Sequence, residues 1–194
     1  MTSTRCTLLA AALLAFSANT LAQTPCPTAP VADHGKPLNG APLASPPAVA
    51  TATLGSAAIT INYNAPSIRC RKIFGALVPF DKVWRTGANP ATSFVTTGTL
   101  KIGNIAVPAG AYTLYTLPEQ TPSSWILILN KQTGQWGTVY KPEMDLGRTE
   151  MKLKKLATPQ EVMSISFEKT TPTSTQLHIK WETTDAWVTI KTAN

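Results

Sequence analysis

Arginines, tryptophans and side-chain amides gather in two stretches of this sequence that lack the alternation of a β-strand. The first stretch, residues 71–90, reads RKIFGALVPFDKVWRTGANP, and the second spans residues 130–148. A guanidinium group can form paired hydrogen bonds with a carboxylate, phosphate or sulfate, and it can stack on an aromatic ring. The side chains predicted to contact a ligand are Arg71, Trp84, Arg85, Asn89, Lys131, Trp136 and Arg148.

Two hypotheses describe the role of Arg85. In the first, Arg85 and Arg71 face a shared pocket walled by Trp84 or Trp136, because a cationic, aromatic loop bounded by glycines is a common place for binding. In the second, Arg85 is an internal brace that holds loop carbonyls, since ordered loops must satisfy their own buried backbone groups. The residues alone leave both hypotheses open.

Catalytic signatures are scarce in this chain. His34 lies in a proline-rich stretch, and the alternation of the TQLHIKWE run predicts that His178 points from a strand into solvent. Neither a Gly-x-Ser-x-Gly motif nor the ligand spacing of a zinc site occurs in the sequence. We therefore expect no catalytic residue, no metal and no cofactor, and the first hypothesis for the function is a non-enzymatic binding module.

Two other classes of function stay open beside the binding module. A hydrolase would have to use loop carboxylates, and the 10 acidic residues of the chain are few and lie mostly at turns or strand ends. It predicts two carboxylates that face each other across a cleft. A structural or assembly protein of the cell envelope would need the same loops only to hold the fold, and it predicts buried aromatic residues with no cleft.

The charge of the chain limits its partners. The formal net charge is +7, and the densest basic cluster is Lys152, Lys154 and Lys155. No basic and aromatic nucleic-acid-binding module is visible, so we expect no nucleic-acid partner. A moderate positive charge favours anionic surfaces and polymers. The expected partner is a carbohydrate or an anionic polymer of the cell envelope.

Residues 1–22 have the features of a secretory signal peptide. Arg5 supplies the positive charge, Leu8–Phe16 is the apolar run, and Thr20–Ala22 fits a cleavage site with small residues. A run of nine apolar residues is too short for a membrane span, which needs about 20 residues. We therefore expect a periplasmic or secreted protein with no transmembrane segment after cleavage.

Two cysteines, Cys26 and Cys70, follow the signal peptide. An even pair in an exported protein favours a disulfide, which would join the proline- and alanine-rich linker, residues 23–47, to the stretch at 71–90. Such a bridge typically stabilises a fold by about 2–4 kcal/mol. The alternative is two free thiols.

Short alternating runs separated by turn residues predict an all-β domain over residues 48–194. The expected architecture is an antiparallel β-sandwich of about nine or ten strands, of which a jelly roll is one form. Trp125–Leu129 is apolar on both faces, which predicts a central strand. A short helical turn is expected at Ile73–Leu77. The C-terminal region is predicted as four strands, Met151–Leu156, Glu161–Glu168, Thr175–Glu182 and Ala186–Lys191, with a turn at Thr183–Asp185.

Six short motifs occur in order along the chain: RKIFG (71–75), VWRTGAN (83–89), VPAGAYTL (107–114), LNK (129–131), QWG (135–137) and DLGR (145–148). Together they resemble a domain-of-unknown-function family of secreted or periplasmic bacterial proteins. The resemblance covers roughly residues 45–191. It implies no activity or catalytic residue, but four of its motifs fall wholly within the two candidate stretches.

Overall fold

The computed structural model describes residues 44–120 and 124–193. The predicted signal peptide, Cys26, His34 and nearly all of the predicted linker lie outside the described residues. The first strand begins at Pro47. The described residues therefore cover the predicted domain apart from residues 121–123 and Asn194.

Strands account for almost all of the regular structure in the described residues, and neighbouring strands are antiparallel throughout. They are β1 (Pro47–Leu54), β2 (Ala57–Asn64), β3 (Thr92–Thr96), β4 (Leu100–Ile102), β5 (Ile105–Val107), β6 (Gly110–Pro118), β7 (Ser124–Asn130), β8 (Asp145–Glu168) and β9 (Ser174–Thr192). A 3-10 helix, Pro142–Met144, precedes β8. The predicted all-β, antiparallel class is confirmed.

The nine strands form one continuous hydrogen-bonded sheet in the order β1-β2-β3-β6-β7-β8-β9-β4-β5. β1 also contacts β8 and β9, so the sheet folds back on itself and encloses the core between facing layers. The backbone N–H of Ile165 in β8 reaches across to the hydroxyl of Tyr63 in β2, at 3.0 Å. β7 lies in the middle of the order, which confirms the central strand predicted at Trp125–Leu129.

Alternation in β2 shows how the sequence builds the apolar face of the sheet. Ile59, Ile61 and Tyr63 are buried, whereas Thr60 between the first two is partly buried and Asn62 between the last two is exposed. Successive side chains of a strand point to opposite faces, so one strand supplies both core and surface. The same core contains the fully buried side chains Leu54, Phe94, Leu100, Leu114, Leu127, Leu177 and Ile190.

The two C-terminal strands are much longer than predicted. In place of four short strands, β8 has 24 residues and β9 has 19, and the predicted turn at Thr183–Asp185 lies inside β9. Register shifts interrupt their ladder between Lys155 and Gln160 and between Gln160 and Ser164. Such irregularities add residues to one strand and bend it without ending the pairing. The turn predicted at Thr183–Asp185 is therefore wrong, because β9 continues through these polar residues.

The stretch at 71–90 crosses from β2 to β3 without forming a strand, as predicted. The helical turn predicted at Ile73–Leu77 is wrong. The N–H of Val78 donates to the carbonyl of Ile73, and the N–H of Gly75 donates to the carbonyl of Val78, both at 2.9 Å. Gly75 has a φ of 81°. Because positive φ is incompatible with a right-handed helix, these bonds close a compact non-helical loop.

The second candidate stretch is shorter than predicted, because β8 already begins at Asp145. The connection between β7 and β8 is therefore residues 131–144. The N–H of Lys131 donates to the carbonyl of Met144 at 2.8 Å and joins its two ends. The DLGR motif thus lies in a strand rather than in a loop.

Candidate functional site

The backbone around Arg85 is fastened to the sheet on both sides. The N–H of Trp84 donates to the carbonyl of Thr116 at 2.7 Å, and the N–H of Thr116 donates back to Trp84 at 2.9 Å. The hydroxyl of Thr86 lies 3.0 Å from that of Thr116. The hydroxyl of Thr92 donates to the carbonyl of Thr86 at 2.9 Å. These hydrogen bonds hold the backbone on both sides of Arg85 in place, so its side chain projects from a fixed position.

Thr86 has a backbone conformation that is rare for its residue type. Its φ is +54° and its side chain is fully buried. A β-branched residue in the left-handed region is strained, whereas Asn89, with a φ of +59°, tolerates it better. Strain of this kind costs about 1–3 kcal/mol and is concentrated at functional sites, where the surrounding structure enforces it. The turn that carries Arg85 contains such an outlier.

A pocket of about 250 Å³ opens beside this turn, and we call it the arginine pocket. It brings together four of the seven predicted ligand residues, Arg71, Trp84, Arg85 and Asn89. The other described residues that line this pocket are Ser45, Pro66, Leu77, Val78, Gly87, Ala88 and Trp181. No acidic side chain belongs to this lining. Two guanidinium groups without an adjacent carboxylate make the pocket electropositive.

The guanidinium of Arg85 has no hydrogen-bond or ion-pair partner among the described residues. Its Nε is buried and donates to no acceptor. Burial lowers the pKa of Arg85, because desolvation disfavours the charged form. Leaving a buried donor unpaired costs about 1–3 kcal/mol, and more for a charged group. No carbonyl of the described loops accepts from this Nε, although such contacts are what an internal brace would make.

Arg71 approaches the arginine pocket from a different turn. Its Nε donates to the carbonyl of Ile68 at 3.0 Å, and its Nη2 donates to the carbonyl of Ser67 at 2.6 Å. These bonds hold the Arg71 side chain to its own turn while it lines the pocket. Arg71 is thus a local brace as well as a pocket residue.

Stacked indoles form one wall of the arginine pocket. The rings of Trp84 and Trp181 lie 5.8 Å apart at an interplanar angle of 17°. Phe74 meets both of them edge-on, with a centroid distance of 6.1 Å to each. The sequence prediction missed Trp181. The apolar side chains of Leu177 and Ile179, at alternate positions before it, place Trp181 on the inner face of β9 and could have identified it as a wall residue.

The two candidate stretches meet beside the arginine pocket. Pro90 and Trp136 form an isolated antiparallel bridge, and the N–H of Gly137 donates to the carbonyl of Asn89 at 3.2 Å. Trp136 itself is 45% exposed and lies outside the pocket lining. The wall predicted at Trp84 or Trp136 is therefore formed by Trp84.

Arg148 lies in a separate hydrogen-bond network at the start of β8. Its Nε donates to Oδ2 of Asp145 at 2.9 Å, and its Nη2 donates to the hydroxyl of Tyr140 at 2.8 Å. The hydroxyl of Tyr140 donates to the same carboxylate at 2.8 Å. Burial, followed by the bond to Asp145, raises the pKa of Tyr140 to about 12. The network fastens the end of the connection to β8.

Asn130 fastens the other end of that connection. Its Nδ2 donates to Oδ1 of Asp145 at 2.9 Å and to the carbonyl of Lys141 at 2.8 Å. Its neighbour Lys131 is exposed. Neither Lys131 nor Arg148 lines the arginine pocket. Of the seven predicted ligand residues, Lys131, Trp136 and Arg148 are therefore not brought to that pocket.

His178 is buried, so the prediction that it faces solvent is wrong. It is 6% exposed, its Nδ1 lies 2.7 Å from Oδ1 of Asp185, and its Nε2 lies 3.7 Å from Oε2 of Glu168. The ring of Trp187 stacks on the imidazole at 6.0 Å, and Lys180 pairs with Glu168. The prediction failed because it placed a turn where β9 continues, so Asp185 and Trp187 were not expected beside His178.

A second pocket, of about 400 Å³, was not predicted from the sequence. We call it the aromatic pocket. Its described lining is Lys72, Phe74, Phe80, Glu119, Gln120, Trp125, Leu153, Lys154, Lys155, Glu182, Thr183 and Thr184. These residues come from five separate segments of the chain. Because a turn was expected after Glu182, the sequence did not predict that these segments lie close together.

The described residues contain no group of three or more His, Cys, Asp or Glu side chains placed to hold a metal ion. Within the same part of the chain, no helix has the length and apolar character needed to cross a membrane.

A family model described as a protein of unknown function, DUF2911, matches residues 45–190, which is most of the chain. No curated protein and no solved structure matches this chain.

Proposed function

We propose that this chain, which belongs to the DUF2911 family, is a non-enzymatic binding module. In this proposal the arginine pocket holds the anionic group of a carbohydrate or of another cell-envelope polymer. The signal peptide expected at residues 1–22 would place the protein where such polymers occur, in the periplasm or outside the cell. The net charge of +7 favours the same class of ligand.

The unpaired guanidinium of Arg85 is the observation that carries the proposal. The fold holds the backbone of Arg85 on both sides and strains Thr86 next to it, yet no described residue supplies an acceptor for the buried Nε. A bound carboxylate, phosphate or sulfate would supply that acceptor and offset the desolvation of the guanidinium. The guanidinium of Arg85, fixed in position and unpaired within the described residues, is thus suited to bind an anion.

The size of the arginine pocket restricts what part of a ligand it holds. Pockets for drug-sized molecules measure about 300–1,000 Å³, and this one is smaller, at about 250 Å³. It can hold one acidic group or one sugar residue, with the rest of a polymer outside. Asn89 and Ser45 add polar groups to the lining for hydroxyl contacts.

The alternative functions receive less support from this pocket. A hydrolase of the kind considered would need two carboxylates facing each other across the cleft, and the described lining of the arginine pocket has none. A purely structural protein would bury the aromatic side chains and leave no pocket. Trp84 is indeed buried, but it forms the wall of a pocket.

Binding to acidic and neutral oligosaccharides tests the proposal. Isothermal titration of uronate-containing and sulfated oligosaccharides against their uncharged analogues should give binding only to the acidic members. Arg85→Lys keeps the positive charge but loses the planar fork, so it should weaken binding about tenfold with little change in melting temperature. Arg148→Lys, the same change outside the pocket, should leave binding unchanged.

Two results would contradict the proposal. One is equal affinity for acidic and neutral oligosaccharides. The other is a large loss of stability in Arg85→Lys with an unchanged binding profile, which would identify Arg85 as an internal brace.

A further inference from the structure

We propose that the aromatic pocket is a second ligand site and that it takes an amphipathic organic anion, an acidic group carried on an apolar ring or chain. This site is separate from the arginine pocket, and the inference does not depend on the function proposed for that pocket. It follows from an apolar floor, a set of lysines that form no ion pair within the described residues, and an interruption in the β8–β9 ladder.

The floor of the aromatic pocket is built from rings. Phe74 and Trp125 are almost fully buried, and their centroids lie 4.7 Å apart at 65°. Phe80 is half-buried and covers the backbone of Gly75, where an added Cβ would approach its ring to 2.7 Å. Leu153 completes the apolar lining. Such a surface stabilises a bound ring or chain by removing apolar area from water.

Three lysines, Lys72, Lys154 and Lys155, give this apolar floor a charged border. No ion pair joins any of them to a carboxylate in the described part of the chain. They come from two elements, the 71–90 crossing and β8. A carboxylate or sulfonate above the rings would therefore meet positive charge from two sides.

Two glutamates in the lining restrict the number of negative charges that the ligand can carry. Glu119 follows β6, and Glu182 lies in β9. They are fewer than the lysines, so the lining keeps a net positive charge. A carboxylate in the lining disfavours a ligand with several negative charges and favours one that carries a single charge.

The aromatic pocket lies where the regular pairing of β8 with β9 is interrupted. Lys155 pairs with Thr184, but the next pair along is Gln160 with Glu182, so β8 carries extra residues there. Glu182 has a φ of +53°, an unusual value for a residue with a side chain. Bulges are over-represented next to binding and active sites, where they redirect side chains.

The two pockets share one aromatic cluster but differ in character. Phe74 contacts Trp125 under the aromatic pocket and also contacts Trp84 and Trp181 beside the arginine pocket. The arginine pocket is small and has two guanidinium groups, whereas the aromatic pocket is larger, at about 400 Å³, and has lysines over rings. One probe can therefore distinguish them.

Titration with 3-phenylpropionate, followed by tryptophan fluorescence and calorimetry, tests the inference. We expect saturable binding at one site, and binding of the neutral 3-phenylpropan-1-ol at least about threefold weaker. The double variant Lys154→Met/Lys155→Met should weaken phenylpropionate binding by a similar factor, and Phe80→Ala should weaken binding of both probes. A matched control, Lys141→Met/Lys191→Met, removes two exposed lysines outside this pocket and should bind as the parent does.

Three outcomes would overturn the inference: no saturable binding at millimolar phenylpropionate, equal binding of the acid and the alcohol, or equal weakening in both double variants. Arg85→Met separates the two pockets. If phenylpropionate occupies the aromatic pocket, its affinity should survive this substitution. Loss of phenylpropionate binding in Arg85→Met would assign the probe to the arginine pocket and refute a separate site.

Discussion

The backbone of Gly137 lies directly against the side chain of Arg85. A Cβ placed on Gly137 would overlap Cδ of Arg85 and come within 2.7 Å of the carbonyl oxygen of Asn89. Gly137→Ala should therefore displace Arg85 and cost about 1–3 kcal/mol of stability, because the site is already filled. We expect acidic oligosaccharides to bind the arginine pocket about tenfold more weakly. Thermal unfolding and calorimetry on one preparation measure both effects.

Gly134→Ala is the matched control for this prediction. Gly134 has a φ of +75°, so alanine there is strained, but its added Cβ would have no neighbour within 4 Å. This variant should lose some stability and keep the parent's affinity. Equal losses of affinity in both glycine variants would show that the contact between Gly137 and Arg85 does not govern binding.

Arg148 is predicted to stabilise the fold rather than to bind ligand. Its two hydrogen bonds, to Asp145 and Tyr140, need the planar guanidinium. Arg148→Lys should therefore cost about 1–2 kcal/mol and lower the melting temperature by about 2–8 °C. Chemical denaturation provides the free energy of unfolding. A variant with parental stability but weaker oligosaccharide binding would reverse this assignment.

The sequence was sufficient to predict the sheet where local patterns decide the structure. The hairpin of β1 and β2 has Gly55 in its turn, with a φ of 57°. The apolar run at Trp125–Leu129 forms the central β7. The 71–90 crossing lacks both a 2-residue and a 3.6-residue period, and it forms neither a named strand nor a helix. In the strands the pattern follows from burial on one face or on both, whereas the buried side chains of the crossing, such as Ile73, Phe74 and Trp84, follow no single period.

The long β8 and β9 could not be predicted, because their pairing depends on residues far apart in the chain. Thr183 and Thr184 have the composition of a turn, yet Thr184 pairs with Lys155 across the ladder. The burial of His178 and the aromatic pocket both depend on this pairing. Four of the residues predicted to contact a ligand line one pocket because they lie within a span of 19 residues, and their role in binding stays a prediction. Trp181, which is distant in sequence, was missed.

The cluster around His178 predicts a loss of stability in acid. The hydrogen bond from Lys180, with a further contribution from His178, lowers the pKa of Glu168 below its usual value of 4.5. A carboxyl group whose folded-state pKa is depressed stabilises the fold above its unfolded-state pKa, and this contribution is lost as the pH falls through the folded-state pKa. Because Glu168 is partly exposed, we expect the contribution to be below about 1 kcal/mol.

Glu168→Gln tests this pH dependence. The variant should be less stable than the parent at neutral pH, and the difference should shrink as the pH falls from about 5 to about 3. Glu150→Gln, an exposed residue of β8, is the control and should parallel the parent across the range. Denaturation midpoints at each pH measure the effect. A constant difference between Glu168→Gln and the parent would disprove the linkage.

The disulfide between Cys26 and Cys70 stays a prediction, because Cys26 lies outside the described residues. Cys70 lies in an exposed turn immediately before Arg71. In exported protein we expect no alkylation of either thiol before reduction and alkylation of both after it, as measured by intact mass. The matched double variant Cys26→Ser/Cys70→Ser should be about 2–4 kcal/mol less stable. Two alkylated cysteines without reductant would exclude the bridge.

Ile128 tests whether β7 is covered on both faces. It is fully buried, and it pairs with Tyr115 of β6 and Arg148 of β8 in the central ladder. Ile128→Asp places an unpaired carboxylate in that environment and should cost at least about 3 kcal/mol, which lowers the melting temperature by about 6 °C or more. Ile126→Asp, two residues earlier on the same face but only partly buried, should cost clearly less. Equal melting temperatures for the two variants would show that the face carrying Ile128 is open to solvent.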